Sequence, residues 1–306
     1  MPAESQKAVW AALMGNILVA ASKFGAAAAT GSPPMFSEGI HSLADTCNEL
    51  LLLLGMKRSR KPPDEAHPLG HAHELYFWSF VVAVVIFGLG GGVTIYQGIA
   101  RIFDPQPLED PLWNYVVLAL AAAFEGTSFL VGSRQFKRQT GQRPGLRAIR
   151  RSKDPTIFTV VLEDFAALAG LLIAFLGVYL GHQFRAPDFE AAASILIGVL
   201  LAGVALFLGY EVRGLLVGES AAPEMVKAIR AIAEGDPAVE RANPPVTVYL
   251  GPRSVLVALE LQFVPTSSSK EVTEAVDRIE SAIRSAFPIA ERIYVEAESI
   301  RTKQRE

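Results

Sequence analysis

The chain is 306 residues long, 51% hydrophobic and only 19% charged, with mean hydropathy +0.31 and a formal net charge of −3. That apolar fraction sits at the upper edge for a soluble globular chain, and the slight negative charge leaves no basic footprint for nucleic acid as a partner. The single cysteine, Cys47, excludes an internal disulfide and any multi-cysteine metal cluster.

Long apolar runs fill the chain to about residue 218, and charged residues are frequent after it, so two domains are expected: 1–218 in the membrane and 219–306 in water. A bilayer-spanning helix needs about 20 mostly apolar residues. Six segments qualify: 7–30, 36–56, 76–102, 112–132, 155–181 and 189–217. The polar start is short and two apolar runs follow it closely, so the first run reads as a retained span and not as a cleaved signal. That span is rich in Gly and Ala, which suits close helix packing. The third holds Gly88, Gly90, Gly91 and Gly92. This run lies mid-span with no following Lys-Ser/Thr, so it is not a phosphate loop.

Lys and Arg are concentrated in two loops. Lys57, Arg58, Arg60 and Lys61 follow span two, and Arg134, Lys137, Arg138, Arg143, Arg147, Arg150, Arg151 and Lys153 follow span four. The other loops carry only Arg101 and Arg185 at their edges. The basic loops, and with them both termini, are therefore expected in the cytoplasm.

Past Glu219 the pattern changes. Met225, Ile229 and Ile232 recur at helical spacing over 223–234, residues 246–250 and 255–264 read as strands around Gly251-Pro252-Arg253, and Ser268 or Ser269 starts a helix that Pro288 ends. Alternation over 292–298 predicts a last strand, and the order αββαβ predicts an α+β layer of helices on one sheet.

Ionisable groups inside spans are expensive and mark functional paths. In span two, His41 and Asp45 lie one turn apart on one face. An imidazole nitrogen and a carboxylate so placed suit a divalent metal ion, or hydrogen-bond each other as helix glue. Asn48, on the adjoining face, offers an amide oxygen. Span five carries Glu163-Asp164, which point about 100° apart. Asp164 is the preferred ligand, and Glu163 is an alternative ligand, a proton acceptor or a partner for a cation elsewhere. Lys23 of span one either pairs with Glu125 of span four or snorkels to an interface. In the loop after span two, Asp64, His67 and His71 either form a second metal site or act as a weak, solvated attractor of cations. No His-Glu-x-x-His motif occurs, so an intramembrane metal hydrolase, and enzyme activity generally, is not expected.

Taken together, Ser37-Glu38-Gly39-Ile40-His41-Ser42-Leu43-Ala44-Asp45, the His67-Pro68-Leu69-Gly70-His71 run leading into Tyr76-Phe77-Trp78, and Asp154-Pro155 with Glu163-Asp164 resemble the cation diffusion facilitator family of divalent-metal transporters, in particular a zinc-transporting branch. The resemblance covers nearly the whole chain. It implies a six-helix transmembrane bundle, a cytosolic ferredoxin-like domain, a homodimer joined through that domain, and no cofactor beyond the transported ion. It also implies a transport site built from a His/Asp-x-x-x-Asp pair in span two and another in span five. His41, Asp45 and Asp164 match; Val160 stands where the remaining ligand would be, leaving Glu163, Asn48 or water to complete the shell. In the tail, the family's zinc ligands are replaced by Ala258, Glu296 and Glu298, and no His or Cys follows His182, so weak or no zinc binding is expected there. The function implied is efflux of a divalent cation, zinc first, in exchange for protons. A Mn²⁺, Fe²⁺ or Co²⁺ carrier of the same fold, or a non-transporting metal sensor or scaffold, are the alternatives. A prokaryotic inner membrane is the expected location.

Overall fold

A computed structural model describes residues 3–30, 33–104 and 111–298; the side chains of Lys23 and His41 lie outside the described residues. The chain divides into two compact units, 1–213 and 214–306.

The first unit is helical. Its elements are α1 (Ala3–Thr30), α2 (Pro33–Arg58), α3 (Glu74–Val85), α4 (Val93–Phe103), α5 (Pro111–Thr140), the short α6 (Leu146–Arg151), α7 (Pro155–Phe184) and α8 (Asp188–Val217). A π-helical turn, Ile86–Gly92, joins α3 to α4 into one rod at the glycine run. Among the described residues, four helices are long and apolar enough to cross a membrane: 74–103, 114–140, 155–184 and 188–217. α1 and α2 run 28 and 26 residues, about 42 and 39 Å at 1.5 Å per residue, and the described stretch Leu13–Ser22 of α1 is apolar. α2 is diluted by Glu38, His41, Asp45, Asn48 and Glu49.

The outward faces of the apolar helices are greasy: Tyr96, Phe103, Leu172, Leu206 and Tyr210 are all exposed, as expected of surfaces that meet lipid. Inside, α1 packs on α2 and α5, α2 on α3, and α5 on α7. The rod formed by α3 and α4 approaches α8 backbone to backbone, because Gly91, Gly98 and Gly198 present no side chain at the crossing. Asp154 caps α7 by accepting from the Thr156 amide at 3.2 Å, with Pro155 in the first turn where its missing N–H costs nothing.

The second unit contains α9 (Pro223–Glu234), β1 (Val239–Ala242), β2 (Val246–Gly251), β3 (Ser254–Phe263), α10 (Ser269–Ala286) and β4 (Ala290–Ala297). β3 is central. β1 and β2 pair antiparallel with successive parts of one side of it, and β4 pairs parallel along the other. The order is thus αβββαβ, one strand more than αββαβ. The extra strand β1, Val-Glu-Arg-Ala, carries a register shift and only four residues, so it has no alternation to betray it. Val255, Val257, Leu259 and Leu261 of β3 point into a core shared with Met225 and Ile229 of α9 and Ile279 and Ile283 of α10. Ser268 and Glu271 close a reciprocal capping box at the start of α10.

Arg278 of α10 forks onto Asp236, with Nε and Nη2 donating to the two carboxylate oxygens at 2.8 and 2.9 Å. The hydrogen bond from Arg278 is the main reason that the Asp236 carboxyl is held below its ordinary range. Its stabilising contribution is therefore present above the usual carboxylate range and is lost as the pH falls through the lowered value. Thermal unfolding of the Arg278→Ala variant should show a modest loss of stability at neutral pH, with the gap to the unaltered protein closing in acid.

Candidate functional site

The polar groups inside the helical unit converge on α2, α5 and α7. Asp164 of α7 is 7% exposed. It faces α5, where Ser128 hydrogen-bonds its carboxyl. One turn along α5, a Cβ placed on Gly132 would lie 4.0 Å from Asp164 Oδ2 and 3.9 Å from Val160 Cγ1. The tightest neighbour of such a Cβ is Val161 Cγ2 at 3.3 Å, and Val160, 5% exposed, fills the position beside Asp164 with hydrocarbon. Asp164 Oδ2 has no hydrogen-bond partner among the described residues.

Asn48 and Glu163 meet across the bundle. Asn48 Nδ2 donates to Glu163 Oε1 at 2.8 Å, bridging α2 and α7, and its amide oxygen is left without a described partner. Asp45 is half-buried on α2, and Glu125 is half-buried on α5. Glu163 lies within reach of the charges of Asp45, Asp164 and Glu125, and Asp164 within reach of those of Glu125 and Asp45. His41 precedes Asp45 by one turn of the same helix, and its side chain lies outside the described residues, as does that of Lys23.

Sequence reasoning assigned Glu49 no role. It is 4% exposed, accepts a hydrogen bond from Asn16 Nδ2 of α1 at 3.0 Å, and lies within the field of Glu163, Asp45, Asp164 and Glu125. The available signal was its spacing: Glu49 extends the His41, Asp45 stripe by one more turn.

Asp64, His67 and His71 are drawn together in the loop between α2 and α3. Among the described residues they alone form a set of three or more such groups with ligand atoms within 4.8 Å of one another. The intramembrane carboxylates are not gathered that tightly. His67 Nδ1 lies 3.1 Å from Asp64 Oδ1, and His71 Nε2 lies 2.9 Å from Asp64 Oδ2. Gly70, at φ 87, turns the chain back so that the two rings sit 4.2 Å apart between centroids. The His71 side chain is 9% exposed, whereas His67 and Asp64 are open to solvent. The hydrogen bond from His71, helped by the His67 backbone amide, pulls the Asp64 carboxyl down to about 2. Two imidazoles and one carboxylate are the donor types that zinc takes.

A model of the cation efflux transmembrane domain matches residues 9–217. The chain is 36% identical over 260 residues to the human proton-coupled zinc antiporter SLC30A9, mitochondrial, covering 84% of this chain and 46% of that protein. It is 34% identical over 262 residues to metal tolerance protein C4 of Arabidopsis thaliana, covering 85% and 57%. With magnetosome protein MamM of Magnetospirillum gryphiswaldense it shares 25% identity over 274 residues, covering 88% and 80%. The chain thus spans only about half the length of the first two relatives.

Proposed function

Because the chain belongs to the cation efflux family of multi-pass membrane transporters, we propose that it carries a divalent metal ion, zinc first, away from the side of the membrane that its basic loops face, in exchange for protons. The observation that carries this reading is a buried carboxylate, Asp164, standing in α7 within the charge field of Asp45 on α2. Ionisable groups buried inside a membrane are costly and mark functional paths. In this reading α1 and α2 also cross the bilayer, giving six spans, and His41, Asp45 and Asp164 hold the ion. Glu163 and Asn48 stand beside them as a bridged pair. The name of the human relative supports both the metal and the proton.

The chemistry of exchange follows from the donors. Metal requires neutral imidazole and ionised carboxylates, so each proton that binds at His41, Asp45 or Asp164 competes with the ion. Rocking of the helices about this midplane site exposes it to each side in turn. Val160 leaves the shell with one imidazole and otherwise oxygen, a set that also suits Mn²⁺, Co²⁺ or Fe²⁺. Flux of several metals through reconstituted protein, ranked by apparent KM, tests the preference.

Asp64, His67 and His71 serve in this reading as a second metal site at the mouth of the path. A His67→Ala, His71→Ala double variant should bind one fewer zinc ion per chain in isothermal titration. With the cluster intact, acid should release that ion, because protons compete with metal for imidazole and carboxylate ligands. Titrations at pH about 7.5 and about 5.5 check the sign. We assign the second unit a ferredoxin-like fold that joins two copies of the chain, and the mass of the detergent-solubilised protein tests the dimer.

A further inference from the structure

We propose that Glu49, together with Asn48 and Glu163, forms a separate oxygen-only station for a divalent cation, lying between the 59–73 loop and the His41–Asp45–Asp164 site. The station rests on the transport reading above and adds an entry step to it.

Position along the helices comes first. Glu49 lies about two and a half turns before the end of α2 at Arg58, and Glu163 about two turns after the start of α7 at Pro155. At 1.5 Å per residue both sit roughly 12–14 Å inside their helix ends, and Asp45 lies one turn deeper. Successive long helices reverse direction, so these two ends share the side that carries Asp64, His67 and His71. A cation moving from the loop to Asp45 along α2 passes Glu49 on the way.

The polar atoms are fixed as ligands are fixed. Asn16 donates to Glu49 Oε1 at 3.0 Å, and Asn48 donates to Glu163 Oε1 at 2.8 Å. Each amide thereby orients a carboxylate without supplying positive charge. What remains is Glu49 Oε2 and Asn48 Oδ1, both without a hydrogen-bond partner among the described residues, on side chains 4% and 2% exposed. A buried acceptor left unmade is costly, more so when charged. Asn48 matters most here, because its amide is not part of the acidic group yet also leaves an oxygen open beside it. Among charged groups Glu163 acts most strongly on Glu49, followed by Asp45, Asp164 and Glu125. Neither α2 before Lys57 nor any part of α7 contains Lys or Arg, and Lys23 of α1 lies two turns beyond Asn16 with its side chain outside the described residues. Such a pocket asks for a cation, and its all-oxygen donors suit a hard divalent ion held briefly.

The test counts ions on purified full-length protein by equilibrium dialysis with radioactive Zn²⁺ and with Mn²⁺, alongside uptake into proteoliposomes. Glu49→Gln keeps size and can still accept from Asn16; Glu49→Asp keeps the charge but shortens the reach. A ligand role predicts that E49Q binds one fewer ion and raises the uptake KM about tenfold or more, while E49D retains the ion with weaker affinity. A purely structural role predicts the reverse ranking, with E49Q intact and E49D impaired. Unchanged ion number and KM in E49Q, or that reverse ranking, overturns the station. Asp45→Asn serves as the separate control: transport that persists in D45N overturns the transport-site reading itself, whatever the ion count of E49Q.

Discussion

Replacing Asp164 by Ala should abolish metal uptake into proteoliposomes while leaving the protein folded and inserted. Asp164 is buried on α7, hydrogen-bonded by Ser128, and its second oxygen has no hydrogen-bond partner among the described residues. In the proposed site, removing it deletes the ligand that α7 would contribute, since Val160 offers none. Loss of an outer hydrogen-bond partner alone costs a metal site roughly 10–100-fold, so loss of a ligand should exceed that and bring flux to background. Asp45→Ala should behave alike. Folding is not the weak point, because a small apolar residue in place of a buried carboxyl removes a group that is costly to desolvate. Undiminished flux in either variant would refute the site.

Gly198→Val should prevent assembly of the helical unit. A Cβ at Gly198 would stand 2.5 Å from Ile95 Cγ1, 2.8 Å from the Gly91 carbonyl oxygen and 2.8 Å from the Ile95 backbone nitrogen. A side-chain tip could turn away, but two of these neighbours are backbone, so α8 and α4 would have to separate. The contact continues at Gly98, where a Cβ would meet Ile195 Cγ1 at 2.7 Å, and at Gly91, where Ala202 would lie at 3.0 Å. Overpacking of a close contact typically costs 1–3 kcal/mol, and a backbone clash spread over two turns should reach at least the top of that range. Gly203→Ala on the same helix is the control, as nothing lies within 4 Å of its Cβ position. Monodisperse elution after detergent extraction separates the two. Equal behaviour of G198V and G203A would show that the close crossing is not needed.

Relations along one helix were open to sequence reasoning, and relations between helices were not. His41 and Asp45 fall one turn apart by counting alone, and Asp64, His67 and His71 stand out by type. What brings Asp64 between the two imidazoles is the left-handed Gly70, which no composition reveals. Asn48 counts as a metal ligand on spacing, yet packing turns its amide toward Glu163, 115 positions away. Glu49 sat unread beside it because its partner Asn16 belongs to α1, 33 positions earlier. The same limit applies to the tail. The helix 223–234 and strand β3 follow from apolar periodicity, whereas β1 exists only because β3 offers Phe263, Gln262 and Leu261 as a free edge. α2 is the opposite case: Asp45, Asn48 and Glu49 are the polar residues on which the proposed site draws, and they also dilute the apolar signal by which spans are recognised.

Proton-driven metal movement is the most direct measure of the whole account. Purified protein in sealed proteoliposomes, with a metal-sensitive dye inside and a pH difference imposed across the bilayer, should take up Zn²⁺ against its gradient while protons leave. A protonophore should collapse that uptake. Failure of Zn²⁺, Mn²⁺, Co²⁺ and Fe²⁺ alike to move, in protein shown to be folded and inserted, would contradict it and leave a metal-binding membrane scaffold in its place.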